Sequence, residues 1–445
     1  MPLTTPDMAV LATPDATATT REAALDPALS REWTPLLLGA ARARALALVE
    51  EIATALSEPA STNDPSLSGA AARALFFAYF AEASPGRELS SSVDDALIAA
   101  IDGIARTRQT FSLCEGFVGV GWVAQHLVGR FDDNGEDANS AIDDALATVT
   151  ERATWSGAYE LLYGLGGIGV YALERIARPS GRQLLAQVVT RLDELAERHP
   201  GGVAWRTAPS PASAVRTTNA ALGHYDCGVA HGVPGLVPLL AGACAAGVEV
   251  ARARPLLDGA VRWLLRQASD DVLTYPAWIA DGKRTPTRLA WCYGDAGIAA
   301  TLLAAGSAVN EAAWIDAAAS LGRRAAALGR DEAAAQQLAV LDSGICHGSA
   351  GLAIIFHRLW QHAHEPVFAD AARWWYGRVL DDHRPGRGIG GYKMWQPPGH
   401  DPQPAWIDDD SLLTGVAGVG LALLAGTGSI EPAWDRVLTA SLPSR

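Results

Sequence analysis

A Gly-x-x-Gly step followed by aliphatic residues recurs six times along the chain, and this repeat constrains the fold more than any other feature. The six copies are Gly116–Gly119, Gly164–Gly167, Gly232–Gly235, Gly294–Gly297, Gly348–Gly351 and Gly415–Gly418. Their first glycines lie 48 residues apart at the closest, from 116 to 164, and 68 at the widest, from 164 to 232. Each unit has room for two helices and their loops, so the repeat predicts six helical hairpins.

The segments within each unit have the composition of helices. An apolar run such as Leu-Ala-Ile-Ile-Phe follows most of the glycine pairs, and segments rich in Ala, Leu and Arg, such as residues 181–198 and 311–328, lie between them. Alternating runs of β-branched residues are scarce, so the pattern predicts an all-α protein. Because an apolar helix must be surrounded by protein, we predict an α/α toroid with six apolar inner helices and six more polar outer helices. The first and last copies are as apolar as the others, which favours a closed ring over an open solenoid with polar ends.

Composition and charge exclude some classes of binding partner and indicate how the chain is divided into domains. The formal net charge is −14, which disfavours binding to nucleic acid or to an anionic membrane. The uncharged residues 232–248 contain Pro234, Pro238 and several glycines, so we predict a buried helix there and no membrane span. Residues 1–30 are rich in Thr, Ala, Pro and Asp and lack the pattern of a secretion signal. We predict a disordered arm over residues 1–30 and a single toroidal domain over residues 31–445.

Three of the cysteines stand at one and the same position of this repeat. The chain has five cysteines in all, and they are widely spread. Their odd number predicts free thiols in a reducing cytoplasm rather than a disulfide framework. Two positions before the glycine pairs stand Cys114, Leu162, Ala230, Cys292, Cys346 and Leu413, and one position before them stand Glu115, Tyr163, His231, Tyr293, His347 and Thr414. Residues at the same position in the repeat should occupy equivalent places at one end of the ring.

Cys292, Cys346 and His347 match the ligand set of a catalytic zinc ion. Such a site takes three protein ligands among thiolate, imidazole and carboxylate and leaves a fourth position open. The adjacent residues Cys346 and His347 can point at one ion if they lie on a loop that turns into a helix. Taken alone, Cys346 would be read as a buried core cysteine, the usual state of a free cysteine. Its place in the repeat favours the metal site.

Three short motifs give the chain a resemblance to the lanthionine synthetase C-type cyclases. Trp291–Gly294 reads Trp-Cys-Tyr-Gly, Cys346–Gly348 reads Cys-His-Gly, and Ala230–Gly232 reads Ala-His-Gly. With the six glycine steps, the resemblance extends from about Phe111 to Leu424. It implies an α/α toroid that binds one zinc ion per chain through Cys292, Cys346 and His347.

The resemblance also implies a reaction and its partners. The substrate would be a ribosomal precursor peptide that carries dehydroalanine or dehydrobutyrine, and a lanthipeptide dehydratase would be a plausible partner. A cysteine thiol of the peptide would add to the alkene and form a (methyl)lanthionine thioether ring. Zinc chemistry agrees with this, since a bound thiol loses its proton near neutral pH.

Addition to the alkene produces an enolate that must be protonated at its α-carbon, and His231 is the candidate acid. The family has an Asp four residues before the second glycine step, whereas this chain has Glu160 four residues before Gly164. The acid is retained with one extra methylene, and Glu160 could orient His231, transfer protons or have lost the role. Asp226 is a local alternative that could also cap a turn.

By resemblance, Arg288 and Tyr293 line the site and stabilise the enolate oxygen. Arg288 could equally belong to a structural ion pair, and Tyr293 could pack at a helix start. Cys114 shares the repeat position of the zinc ligands but matches no ligand of the family, so we predict a buried bystander.

Three other functions remain open at this stage. A related zinc thiol transferase would join a free thiol such as glutathione to an electrophilic protein. A scaffold for a dehydratase or precursor would carry a structural zinc with a fourth protein ligand, which Cys114 or His231 could supply. Glycoside hydrolysis would need two carboxylates across a cleft, for which Glu115 and Glu160 lie in suitable repeats.

Overall fold

The computed structural model describes residues 33–58, 63–87, 89–106, 110–128, 137–152, 154–209, 223–328, 332–396 and 405–443. The chain divides into two units, Met1–Glu32 and Trp33–Arg445, and the structure below is that of the second. The predicted N-terminal arm over residues 1–30 lies outside the described residues, so its disorder stays a prediction.

Apolar helices form a closed inner ring. In the described part of the chain these inner helices are Ala70–Ala83, Phe117–Leu127, Leu165–Glu174, Val233–Ala245, Asp295–Val309, Ser349–Ala363 and Val416–Thr427. Each packs against the one before and the one after, and the last packs against the first, which closes the ring. Their apolar character is a consequence of this position, since every residue from Asp295 to Gly306, for example, is buried.

A second set of helices surrounds this ring. In the same described ranges the outer helices are Gly39–Ser57, Ser90–Arg106, Ser140–Thr150, Pro179–Leu195, Val250–Leu265, Ala312–Leu328 and Pro366–Asp382. Each packs against an inner helix that is adjacent in sequence, except Gly39–Ser57, which packs against Val416–Thr427 from the other end of the chain. Only one face of an outer helix is buried, so charged side chains can occupy the other face.

The predicted all-α toroid is confirmed, but the predicted count of six inner and six outer helices is one short in each ring. The structure has seven of each among the residues it describes. The additional inner helix, Ala70–Ala83, begins after Gly69. It has Ala72 where the other copies have their second glycine, so the Gly-x-x-Gly pattern did not identify it.

Short strands and short helices occupy the loops. Glu197–His199 pairs with Gly202–Ala204, Trp278–Ala280 pairs with both Tyr225–Asp226 and Lys283–Arg284, and Met394–Gln396 pairs with Ala405–Ile407, all antiparallel. The remaining short elements are the helix Glu332–Gln337 and the 3₁₀ helix Ala433–Leu438. Among the residues that the structure describes, no helix has both the length and the apolar character needed to cross a membrane.

The glycine pairs are explained by loops that pass very close to the helix starts. A Cβ atom on Gly351 would lie 1.9 Å from the carbonyl oxygen of Ile345, and one on Gly297 would lie 2.0 Å from that of Trp291. No side chain larger than hydrogen fits at such a distance. Each second glycine therefore holds the preceding loop against the first turn of its helix, directly beside the residues predicted to carry the chemistry.

Backbone hydrogen bonds join these loops around one end of the ring. The Cys346 amide donates to the Leu413 carbonyl at 2.7 Å, the Cys292 amide to the Cys346 carbonyl at 3.1 Å, and the Ala230 amide to the Cys292 carbonyl at 3.3 Å. Because the bonded residues lie at matching positions before the helix starts, the loops share one end of the ring, as the repeat predicted.

We expect Gly351→Ala to destabilise the protein, because its new Cβ would press on the Ile345 carbonyl. Overpacking of this kind lowers the free energy of unfolding by roughly 1–3 kcal/mol. The matched control is Gly377→Ala in the outer helix Pro366–Asp382, where nothing lies within 4 Å of the added Cβ and alanine favours the helix. Urea unfolding compares the two variants with wild type, and equal stabilities for both variants would contradict this explanation.

Candidate functional site

Three of the predicted site residues form one cluster. Cys292, Cys346 and His347 each bring a potential metal ligand atom to within 4.8 Å of the other two. Cys292 lies on the loop before helix Asp295–Val309, and the other two lie just before helix Ser349–Ala363. The backbone hydrogen bond between Cys292 and Cys346 holds the two loops together. The structure thus brings together residues that are separated by more than fifty positions in sequence.

The donors in this cluster suit zinc. Two thiols and one imidazole are the ligands that zinc prefers, and three protein ligands leave one position open. The hydrogen bond from Cys346 lowers the pKa of the Cys292 thiol well below its ordinary value, with further help from His347 and Arg288. Burial opposes the charge on His347, but its hydrogen bond with Cys292 and the carboxylate of Asp342 raise the pKa of this imidazole. The cluster therefore already favours a thiolate at Cys292.

His347 has outer partners that the sequence did not reveal. Its Nε2 atom lies 3.4 Å from the carbonyl oxygen of Trp395 and 3.8 Å from a carboxylate oxygen of Asp342. Asp342 is buried and accepts hydrogen bonds from the Trp395 amide at 2.8 Å and from the Gly344 amide at 3.1 Å. The Nε2 atom of His347 therefore has polar partners outside the cluster of Cys292, Cys346 and His347. Metal-binding histidines are commonly oriented in this way.

The place of Asp342 in the repeat is a sequence feature from which this residue could have been predicted. Asp342, Asp226 and Asp409 each stand six residues before the first glycine of a pair. Each carboxylate accepts a hydrogen bond from the backbone amide two residues further on, at 3.1, 2.7 and 2.8 Å respectively. An aspartate at this repeat position therefore shapes the loop before an inner helix.

His231 and Glu160 form a hydrogen-bonded pair. His231 Nδ1 lies 3.2 Å from Glu160 Oε2, and the His231 side chain is 31% exposed. Burial opposes the charged imidazole, but the hydrogen bond and charge of Glu160 outweigh it, with contributions from Asp226 and Cys292, and raise the pKa of His231. A protonated histidine close to neutral pH is a competent proton donor.

Glu160 is held rigidly by its own loop. Its side chain is buried, and its carboxylate accepts hydrogen bonds from the Leu162 amide and the Tyr163 amide, both at 2.8 Å. The Tyr163 ring stacks on the ring of His231 with 5.8 Å between their centroids. Glu160 and Tyr163 therefore fix the orientation of the His231 ring, with Nδ1 directed to the carboxylate.

Asp226 contacts Tyr293 instead of His231. It accepts hydrogen bonds from the Tyr293 hydroxyl at 2.9 Å and from the Gly228 amide at 2.7 Å. The Tyr293 ring lies 6.4 Å from the His231 ring, centroid to centroid. Of the two acids considered from the sequence, Glu160 is the one that contacts His231, while Asp226 caps a turn and holds Tyr293.

Arg288 and Cys114 complete the set of predicted residues. Arg288 is half-buried and makes no hydrogen bond or ion pair with any other residue that the structure describes, yet its charge acts on Cys292, Cys346 and His347. The Cys114 thiol is buried, and this burial, followed by the charge of Glu115, raises its pKa to about 12. Cys114 therefore stays protonated at neutral pH. It does not belong to the group of Cys292, Cys346 and His347, here called the metal-ligand cluster.

Comparisons with known proteins agree with this fold. A family model described as "Lanthionine synthetase C-like protein" matches residues 61–439. No curated protein matches the sequence significantly. A solved structure titled "Nisin cyclase" matches with a TM-score of 0.67 and 19% identity over 88% of this chain and 96% of that chain. A structure titled "Crystal structure of unsaturated glucuronyl hydrolase specific for heparin" matches with a TM-score of 0.42 and 10% identity over 87% of this chain and 96% of that chain.

We expect Glu160→Gln to lower the pKa of His231, because the variant removes the charge that most favours the imidazolium. His231 should then lose its proton at a lower pH than in wild type. The matched control is Glu115→Gln, since Glu115 contacts the Tyr163 hydroxyl and not His231. NMR titration of the His231 ring in the three proteins checks this, and an unchanged titration in Glu160→Gln would contradict the pairing.

Proposed function

From the premise that the chain belongs to the lanthionine synthetase C-like family, we propose that it is a zinc-dependent lanthipeptide cyclase. It would add cysteine thiols of a peptide to dehydroalanine or dehydrobutyrine in the same peptide and so form (methyl)lanthionine rings. The cluster of Cys292, Cys346 and His347, with ligand atoms within 4.8 Å of one another, is the observation that carries this proposal.

These three residues would hold one zinc ion per chain. Zinc bound there would lower the pKa of a peptide thiol at the open fourth position and keep it as a nucleophilic thiolate. Asp342 and the Trp395 carbonyl would hold His347 in its binding orientation. The protein's own contribution to the metal is thus a preformed, oriented ligand set.

His231 would supply the proton that completes the addition. The peptide thiol gives its proton to solvent, its sulfur forms a bond to the alkene β-carbon, and the electron pair of the double bond moves toward the α-carbon and its carbonyl. The α-carbon then takes a proton from His231 Nε2, and His231 regains one from solvent, so that no atom is gained or lost overall. Glu160, hydrogen-bonded to Nδ1, stabilises the protonated imidazole before transfer and orients it.

Arg288 would stabilise the negative charge that develops on the enolate oxygen. Its guanidinium has no hydrogen-bond partner among the described residues, whereas the Tyr293 hydroxyl already donates to Asp226. A donor that is free before the substrate binds can form a new hydrogen bond as the charge develops. Tyr293 would then serve mainly to position the ring of His231 from one side.

The proposed substrate is a dehydrated ribosomal precursor peptide, which a lanthipeptide dehydratase would supply. All five cysteines are free thiols in the structure, which agrees with the proposed location in a reducing cytoplasm. The structure of a cyclase shares this fold, and this likeness supports the proposal at the level of the fold.

The alternative functions have less support. A structural zinc would have four protein ligands, but neither Cys114 nor His231 joins the ligand cluster among the described residues. For glycoside hydrolysis, Glu160 would have to be one of the two carboxylates, but it is buried against backbone amides and His231. A zinc thiol transferase would use the same residues as the cyclase. The two functions differ in the thiol substrate, which would be a small free thiol such as glutathione for the transferase and a cysteine of the same peptide for the cyclase.

We expect Cys346→Ala to lose both zinc and cyclisation, since two remaining ligands bind the ion far more weakly. Cys244→Ala is the matched control, because Cys244 lies near the far end of helix Val233–Ala245. Elemental analysis gives the zinc content, and mass spectrometry after thiol alkylation counts the thiols left on a dehydrated peptide. Ring formation removes alkylatable thiols without changing peptide mass, whereas glutathione addition increases that mass. Wild-type protein with no zinc after reconstitution would overturn the proposed function.

We expect His231→Ala to keep wild-type zinc content and to slow cyclisation by roughly 10²–10⁴-fold, the usual contribution of a general acid. The reason is that His231 lies outside the ligand cluster but beside it. Single-turnover rates on the dehydrated peptide, measured together with zinc content, separate the two effects. Loss of zinc in this variant would reassign His231 from acid to ligand.

A further inference from the structure

The C-terminal residues 431–441, here called the plug, contact inner helices on opposite sides of the ring. Asp435 in the plug accepts hydrogen bonds at 2.6 and 3.0 Å from Arg358 on helix Ser349–Ala363, while Arg436 lies 3.3 Å from Glu174 at the end of helix Leu165–Glu174. Between helix Ser349–Ala363 and helix Leu165–Glu174, two inner helices lie in one direction around the ring and three lie in the other. A segment that contacts both therefore extends from one side of the ring to the other.

The plug is firmly anchored there. Trp434 and Asp435 are fully buried, and Val437 and Leu438 are nearly so. The carboxylate of Asp435 also accepts a hydrogen bond from the Ser441 hydroxyl. Because a buried carboxylate requires such partners to remain stable, the network holds the plug in one position.

One contact connects the plug to the metal-ligand cluster. The indole Nε1 of Trp291 donates a hydrogen bond to the Leu438 carbonyl at 2.9 Å, and Trp291 is only 2% exposed. The backbone carbonyl of Trp291 rests against Gly297, where a Cβ would lie 2.0 Å away. Trp291 is therefore fixed by its side chain and by its backbone, and the next residue in the chain is Cys292.

We propose that the plug, through Trp291, is a positioning element for Cys292. This inference rests on the proposed function, since it assigns to the plug the task of holding one of the three zinc ligands. A zinc ion binds tightly only when its ligands are held at their required distances, and outer partners of ligands commonly change metal affinity by about 10- to 100-fold. Loss of the contact between Trp291 and Leu438 should allow the Cys292 loop to move away from Cys346 and His347.

The test compares Trp291→Phe with Trp205→Phe. Trp205 is also fully buried and donates from Nε1 to a backbone carbonyl, that of Leu192 on the outer helix Pro179–Leu195, at 2.8 Å. Both variants lose one indole hydrogen bond and the same ring volume, so thermal unfolding should report similar losses of stability. Zinc affinity is measured by chelator competition, and the absorption bands of the Co²⁺-substituted protein report the geometry of the thiolate ligands.

We expect Trp291→Phe to weaken zinc binding about tenfold or more and to alter the Co²⁺ bands, and Trp205→Phe to change neither. If Trp291→Phe does not fold, Asp435→Asn, which weakens the anchor on Arg358, takes its place and should lower zinc affinity in the same direction. Wild-type zinc affinity and Co²⁺ bands in the folded variant would overturn the positioning role and leave the proposed function intact. Absence of zinc from the reconstituted wild type would instead overturn the proposed function and this inference with it.

Discussion

The close approach of loop carbonyls to the glycines at the inner helix starts is the constraint on which the rest of the structure depends. A Cβ on Gly297 or Gly351 would push away the loop that carries Cys292 or Cys346. With glycine in place, the loops lie against the helix starts and form backbone hydrogen bonds with one another. The metal-ligand cluster is therefore a product of backbone packing that is repeated around the ring, before any side chain contributes.

Short-range contacts then hold each polar side chain at this end of the ring. The carboxylates of Glu160 and Asp342 accept hydrogen bonds from backbone amides of their own loops, and each is then directed at a histidine, His231 or His347. Because buried polar groups are stable only with partners, these contacts favour a single arrangement of the site. The proposed proton donor and the proposed metal ligands can thus lie side by side without either depending on substrate for its orientation.

The ring and its C-terminal plug contribute differently to the site. The ring supplies the loops, and its loop end is accessible, as the exposures of Tyr163 (41%) and of the His231 side chain (31%) show. The buried plug extends across the ring and contacts the site from within the protein through Trp291. A site supported from within and open at its outer end suits the proposed peptide substrate, which could present one residue at a time to the proposed catalytic groups.

The sequence by itself determined the helical class and the register of the loops and predicted three metal ligands, because glycine, cysteine and histidine recur at equivalent places in a repeat. It missed the seventh hairpin, since Ala72 replaces the second glycine there, and it left the choice between Glu160 and Asp226 open. Only the tertiary structure showed that Glu160 is the acid that contacts His231, and only it revealed the position of Asp342 and the contact of Trp291 with Leu438. These contacts join residues from different repeats or from distant parts of the chain, and local spacing carries no information about which distant groups the folded ring brings together.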